Sequence, residues 1–289
     1  MNNTYPLAEI VRQHRAETFC TSPSLRISSI NKAVSFINIR GFIYFWPIKG
    51  ITLPSLWVAA AGDRPVADEH DDPGHITWNW KDSLLGKKKV YYARILRRKN
   101  TFISLEMLPY FYCLTPNYGD WVTDYLEQYQ QGSMTAPARS IYEALLREGP
   151  LNTIMLRKAS RLTGEAAAGL FARALDDLMV EFKILPVAVS DAGAWHYCHV
   201  YDITPRFYPD LQEKSRPLSE KEARRMILLK YFESVGSASI RDVQRLFGWL
   251  PEIASETLEA LTISGDLSQF SNPEFDRDPV WIVKKLLTY

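Results

Sequence analysis

The residues best suited to chemistry lie between Lys81 and Lys99. Eight cations (Lys81, Lys87, Lys88, Lys89, Arg94, Arg97, Arg98 and Lys99) face one carboxylate, Asp82, with Tyr91 and Tyr92 interleaved. Such a run suits phosphate contact, because each Lys or Arg that meets a phosphate releases condensed counterions. A solvated charged face is the plainer account of the same residues. Just upstream, Asp63, Asp68, Glu69, Asp71 and Asp72 share a segment with His70 and His75. Carboxylates and imidazoles together can hold a metal. Their spacing matches no defined metal motif, and Pro65, Pro73 and Gly74 mark a surface loop. No metal and no other cofactor is therefore expected. Glu106, Asp120 and Asp124 are further carboxylates in the N-terminal half, with nothing in the sequence to choose among them. A GxGxxG, a P-loop, a CxxC pair and a nucleophile elbow are all missing, so nucleotide-dependent catalysis is unsupported.

The elements that must position these groups are clearest between Ala138 and Pro209. Ala138 to Glu148 reads as an amphipathic helix, with Ile141, Leu145 and Leu146 on one face and Tyr142 at its edge. Gly149-Pro150 stops it, and Asn152 is placed to cap a short helix over Thr153 to Ser160. After Leu162-Thr163-Gly164 a third helix is expected from Glu165 to about Glu181. Its apolar residues Leu170, Phe171, Ala174, Leu175 and Leu178 recur at helical spacing. Two β-rich runs follow, Ile184 to Val189 and Trp195 to Tyr201, about the turn Ser190-Asp191-Ala192-Gly193. Three helices and a hairpin are the order of a winged helix-turn-helix, in which one helix enters the major groove and the wing touches the flanking backbone. Arg157, Lys158 and Arg161 then become phosphate-contact candidates. Arg173, placed on the side of the third helix away from Leu170 and Leu178, becomes a candidate for a base edge. His196 and His199 lie on the wing, within reach of a minor groove.

A second copy repeats the order. Ser219 to Val235, Ile240 to Phe247 and Pro251 to about Ser264 are its helices, and Leu267 to Phe270 with Val280 to Lys285 its hairpin. Leu258 and Leu261 correspond to Leu175 and Leu178, and shared order across about 70 residues outweighs any single helix assignment. From Val200 onward there are 12 cations and 14 carboxylates. The long wing Glu274-Phe275-Asp276-Arg277-Asp278 would repel phosphate. This copy is therefore expected to pack on the rest of the chain or on a partner protein.

The N-terminal third is less regular. Helices are expected over Pro6 to Phe19 (Leu7, Ile10 and Val11 inward), Ile30 to Ile39 behind a Ser28-Ser29 cap, and Leu53 to Ala61 with Pro54 in its first turn. Phe42 to Trp46 reads as a strand or buried turn. Met107 to Leu114 reads as core, and Gly119 to Gln131 as a helix. The whole is α+β and mainly helical. Its expected units are a helical arm over 1–27, a divergent winged-helix-like unit with the basic segment over 28–132, and clear winged helices over 138–209 and 218–289.

Composition sets wider bounds. A chain of 289 residues, 46% hydrophobic and 12% aromatic, has ample core for two or three small domains. The net charge of +1 supplies no global field, so any affinity for nucleic acid must be local. Three widely spaced cysteines suggest a reducing compartment and no disulfide framework. No signal peptide or membrane-spanning run is evident, which points to the cytoplasm.

Several of these segments resemble the crosslink-repair DNA glycosylases of the AlkZ/YcaQ type, built from tandem winged helices. The similarity is carried by Ala174-Leu175-Asp176-Asp177-Leu178, by Tyr201-Asp202-Ile203-Thr204-Pro205-Arg206 with Pro209, by Gly149-Pro150-Leu151, and by Trp78 with Ser83-Leu84-Leu85. It covers about residues 28 to 265. The resemblance implies double-stranded DNA as partner and a catalytic Gln-x-Gln or Gln-x-Asp pair just after the first long helix. Aligning Gly41-Phe42-Ile43 with that region puts Tyr44-Phe45-Trp46 at the pair, and Trp80 where the family often has His. Neither Tyr44 nor Trp46 can act as a general base near neutral pH, although either could stack on a base. Gln128-Tyr129-Gln130 has the right spelling in the wrong place. The expectation is a DNA-binding protein related to the glycosylases but lacking their pair. An active glycosylase on alkylated or crosslinked DNA, and a protein-interaction scaffold or transcription regulator, are the alternatives.

Overall fold

The computed structural model describes residues 5–66, 72–117, 119–193, 196–270 and 279–287. Four members of the acidic loop (Asp68, Glu69, His70, Asp71), Trp195, and the acidic wing from Glu274 to Asp278 lie outside them.

The described residues are mainly helical with three small antiparallel sheets. Helix α1 (Tyr5–Thr18) is the arm. A first run then places α2 (Ile30–Arg40), β1 (Phe42–Tyr44), α3 (Leu56–Ala61), α4 (Ile76–Leu84), β2 (Tyr91–Arg94) and β3 (Asn100–Ile103). Two short helices, α5 (Leu108–Cys113) and α6 (Asp124–Gln130), lead to the second run. This holds α7 (Ala136–Glu148), β4 (Leu151–Asn152), α8 (Thr153–Ala159), α9 (Ala168–Val180), β5 (Ile184–Ser190) and β6 (Cys198–Ile203). After α10 (Thr204–Phe207) and α11 (Leu211–Ser215) comes the third run. It comprises α12 (Glu220–Val235), β7 (Ser237–Ser239), α13 (Ile240–Phe247), α14 (Pro251–Ile263), β8 (Leu267–Phe270) and β9 (Val280–Val283). Each run is helix, short strand, helix, helix, hairpin. In each sheet the last strand of the hairpin sits between the other two.

Local chemistry explains the repetition. The second helix of each run starts on a polar cap that follows the short strand. Ser55 accepts from the Val58 amide, Asn152 from Met155 and Ser239 from Asp242, the last as a reciprocal capping box. Capping by Ser55 also corrects the expected start of α3: Pro54 precedes the helix and its carbonyl accepts from the Tyr44 amide. The long helices bury one stripe each, Ile141 and Leu145 on α7, Leu175 and Leu178 on α9, Ile227 and Tyr231 on α12. Two other expectations shift. The Gly119 to Gln131 helix shortens to α6, because Asp120 binds the Val122 amide and makes a turn first. Leu170, expected inside α9, is exposed.

The runs are not beads on a string. The arm α1 lies on α12, where Arg15 donates to the Val235 and Ser237 carbonyls and Thr18 to Ser234. Residues of all three runs share one apolar core, from Phe42 and Tyr91 through Ile141 and Phe182 to Tyr231 and Leu261. A second core sits inside the first run, around Phe36, Ile43, Phe45, Trp80 and Phe102. Among the described residues no helix is long and apolar enough to cross a membrane.

Candidate nucleic-acid interface and aromatic cleft

The basic run divides between two turns at opposite ends of β2. Lys87, Lys88 and Lys89 occupy the turn between α4 and β2, all three exposed. Gly86, at φ +74°, brings that turn against the Val187 carbonyl of β5. Lys88 lies 4.8 Å from the Phe207 ring centroid. Arg97, Arg98 and Lys99 form the hairpin turn between β2 and β3, also exposed. Arg97 and Arg98 both hold left-handed backbone, at φ 54° and 57°. Such a conformation costs a non-glycine residue on the order of 1 kcal/mol, and here the docking of the turn offsets it. Arg98 pairs with Asp177 at 2.5 Å and Arg94 with Asp176 at 2.9 Å, tying this hairpin to α9. Lys81 is not on the surface at all: it is 1% exposed.

On the second run, Arg157 turns back on its own chain. Its guanidinium donates to the Leu162, Thr163 and Gly164 carbonyls, closing the turn between α8 and α9. It serves the turn rather than a free phosphate. Lys158, Arg161 and Arg173 are exposed and make no ion pair with a described residue. Arg173 shares its side of α9 with Leu170, three residues away, rather than facing away from it. With Ile154 and Met155 of α8, Leu170 gives this helix pair an apolar outward face. The β5–β6 hairpin leans on it, Ile154 Cδ1 lying 3.6 Å from the position a Cβ would take on Gly193. His196, in the loop of that hairpin, is exposed.

The residues that align with the glycosylase pair separate. Tyr44 is fully buried, its hydroxyl 3.4 Å from the Leu96 carbonyl, and burial pushes its pKa well up. Trp46, two residues on, reaches a cleft of about 1150 Å³ shared with Trp78, His75, Asn79, Asp82 and Tyr197. Trp46 and Trp78 meet edge to face at 5.3 Å, and Phe45 stacks beneath Trp46 at 5.2 Å. The Trp46 indole N–H is buried without a hydrogen-bond partner among the described residues. Trp80 lies elsewhere, in the second core.

A polar network borders this cleft. The buried Lys81 ammonium lies 2.8 Å from Asp82 Oδ1 and 4.5 Å from the Trp78 ring centroid, and donates to the Tyr197 hydroxyl at 2.7 Å. Tyr197 donates to Asp82 Oδ1 at 2.9 Å and lies 3.2 Å from His199 Nε2. Burial, then the nearby Lys81 ammonium, holds the His199 pKa down to about 4, so the ring is neutral at physiological pH. Burial likewise lowers the Lys81 pKa while Asp82 opposes the shift. Residues 81 and 197 are far apart in the sequence and meet because the β5–β6 hairpin folds over α4. No local pattern announces that, which is why Asp82 and Tyr197 are absent from the sequence-derived candidates.

Asp72 of the acidic segment also lines this cleft, paired with Arg64 at 2.6 Å, whereas Glu106, Asp120 and Asp124 do not line it. Asp124 is half-buried, its two oxygens without a side-chain hydrogen-bond partner among the described residues, and burial raises its pKa. Gln128 is buried and donates to the Pro116 carbonyl, a structural role. Among the described residues no cluster of His, Cys, Asp and Glu could hold a metal.

The motif Tyr201 to Arg206 proves to be a clamp. Arg206 donates to the Leu145 and Leu146 carbonyls at the end of α7 and to Asp202 Oδ1. The carboxylate is fixed in turn by the Ile203 amide. The last carbonyls of α7 thus meet a guanidinium where they lack helical partners.

Fold and clamp together define a mainly helical chain with small sheets, of the architecture seen in a solved DNA glycosylase. The Streptomyces sahachiroi DNA glycosylase AlkZ superposes with a TM-score of 0.55 at 10% sequence identity, covering 97% of this chain and 72% of that one. Residues 27–248 match the AlkZ-related family, and the chain belongs to that family. No curated protein matches it.

Proposed function

We propose that this is a DNA-binding protein of three tandem winged helices, over 28–132, 138–209 and 218–289, related to the repair glycosylases but altered at their catalytic pair. The observation that carries this reading is the set of exposed cations around the second helix-turn-helix (Lys158, Arg161 and Arg173) with the Lys87 to Lys89 turn. None of these residues is ion-paired to a described residue. Phosphate contact through them gives affinity without base reading. The apolar face of Leu170, Ile154 and Met155 offers little hydrogen bonding to base edges. The test is fluorescence anisotropy with a blunt duplex at two salt concentrations. The triple change Lys87→Gln, Lys88→Gln, Lys89→Gln should lower the salt slope by about 2 to 3, each lost phosphate contact removing about 0.9. No duplex binding by the wild type would overturn the reading and leave the apolar face as a protein contact.

The aromatic cleft favours a second reading, an active N-glycosylase that uses Asp82. A cleft of about 1150 Å³ has room for a nucleobase turned out of the duplex. In that reaction the oxygen of a water bonds to C1′ of the deoxyribose. The C1′–N bond breaks and the alkylated base leaves with the electron pair, neutral if it began cationic. Asp82 accepts the proton from the water and opposes the positive charge on the sugar. Asp82→Asn should then abolish lesion-dependent abasic sites while duplex binding persists. Abasic-site formation unchanged in that variant would dismiss Asp82.

A further inference from the structure

A second cleft, of about 400 Å³, opens where the three runs meet. The β2–β3 turn brings Arg97 and Arg98 to it, the end of α9 brings Phe182, and α12 brings Arg224. Phe247 and Trp249, at the end of α13, complete it, their rings stacked at 4.6 Å and 19°. Two of the three guanidiniums are partly engaged: Arg98 with Asp177, and Arg224 with Glu220 at 2.6 Å. Arg224 still has a buried Nε–H with no partner among the described residues. Arg97 forms no ion pair with a described residue, and its guanidinium reaches the C-terminal end of α13 beside Gly248. The lining residues thus combine donors for an anion with a flat aromatic surface, and carry no acid of their own.

From this we infer that the cleft binds a nucleotide, its base against Trp249 and Phe247 and its phosphate on Arg97 with Arg98 and Arg224. Guanidinium groups match phosphate oxygens with paired N–H donors, and any base presents a face for stacking. The volume lies within the range of small-molecule sites. Arg97 and Arg98, both in left-handed backbone, both line this junction. A free nucleotide and an unpaired nucleotide at the end of a strand offer the same chemistry. The strand source alone rests on the DNA-binding reading, which the blunt-duplex experiment above tests separately.

The experiment is isothermal titration calorimetry of the full chain with 2′-deoxyadenosine 5′-monophosphate, deoxyadenosine and inorganic phosphate. The nucleotide should bind at least tenfold more tightly than either fragment. Arg97→Gln, a change at an exposed side chain, should weaken it at least fivefold, and Trp249→Leu likewise. The triple Lys87 to Lys89 variant should leave it unchanged. A duplex with a short single-stranded tail then separates the sources. Competition by the nucleotide for the tailed duplex, lost in Arg97→Gln, identifies the strand end. Nucleotide binding that the tail does not contest identifies the free ligand. Absence of nucleotide and tail binding alike, or binding indifferent to both Arg97→Gln and Trp249→Leu, would overturn the inference.

Discussion

His199 gives the β5–β6 hairpin a measurable dependence on acid. Its ring is held between Tyr197 and Tyr201, with burial and the Lys81 ammonium disfavouring the imidazolium. The folded pKa lies near 4 against an ordinary 6.5. Above about pH 6.5 the ring is neutral in both folded and unfolded chains and contributes nothing to pH dependence. As the pH falls below that value the unfolded chain binds a proton that the folded chain refuses, so stability is lost on acidification. With each pH unit of separation worth about 1.4 kcal/mol, the loss reaches roughly 2 kcal/mol by about pH 5. It approaches about 3 kcal/mol below pH 4. Residual water at the ring makes these upper figures. The assay is urea unfolding at about pH 7.5 and about pH 5 of the wild type and of His199→Gln, which keeps a donor for Tyr197 and cannot titrate. The wild type should lose about 1 to 2 kcal/mol more between the two conditions than the variant. Groups common to both proteins cancel, among them Asp124, whose raised pKa acts with the opposite sign. A difference under about 0.5 kcal/mol would show that the ring is solvated and that the β5–β6 hairpin does not seat on Lys81 as described.

Three further changes test the packing that holds the sites. Arg206→Ala should destabilise the chain by about 2 to 3 kcal/mol in urea, because it removes three charge-assisted bonds and leaves Asp202 half-satisfied; a loss below about 1 kcal/mol would remove the clamp from the account of α7. Gly86→Ala combines a left-handed φ with a Cβ only 2.6 Å from the Val187 carbonyl oxygen. A cost of about 2 kcal/mol or more in thermal unfolding is expected, with weaker duplex binding as the Lys87 to Lys89 turn lifts. A double-mutant cycle on Arg98→Ala and Asp177→Ala should return a coupling of only about 0.5 to 1 kcal/mol, since Arg98 is half exposed; a coupling near zero would mean that the hairpin docks through its apolar residues alone.

The second and third runs are legible in the sequence because their signals are local. Caps at Asn152 and Ser239, a helical stripe through Leu175 and Leu178, and a Gly after Val235 each act within a few residues. The first run shares their topology and is harder to read. Its short strand and second helix are separated by the loop from Phe45 to Ser55, and Tyr44 pairs with Thr101 across a span no periodicity covers. Leu170 misleads for a related reason. It falls on helical spacing with Ala174, yet the stripe facing the core is one side of α9 only, and Leu170 lies beyond its edge.

Charge is where sequence reasoning reaches least far, and the cause is physical. Eight cations between 81 and 99 look equivalent when read in line, but the roles of several are set by atoms distant in the chain. Lys81 is drawn inside by Asp82 and Tyr197, Arg94 and Arg98 are held by Asp176 and Asp177, and the Lys87 to Lys89 turn, with Arg97 and Lys99, keeps the exposed face that the run suggests. The Asp176-Asp177 pair that helped carry the family resemblance is itself the anchor for the first hairpin. A run of like charge therefore reports affinity for an opposite charge without saying whose. Here the chain supplies part of the counter-charge itself, and its helices decide which cations remain for a phosphate.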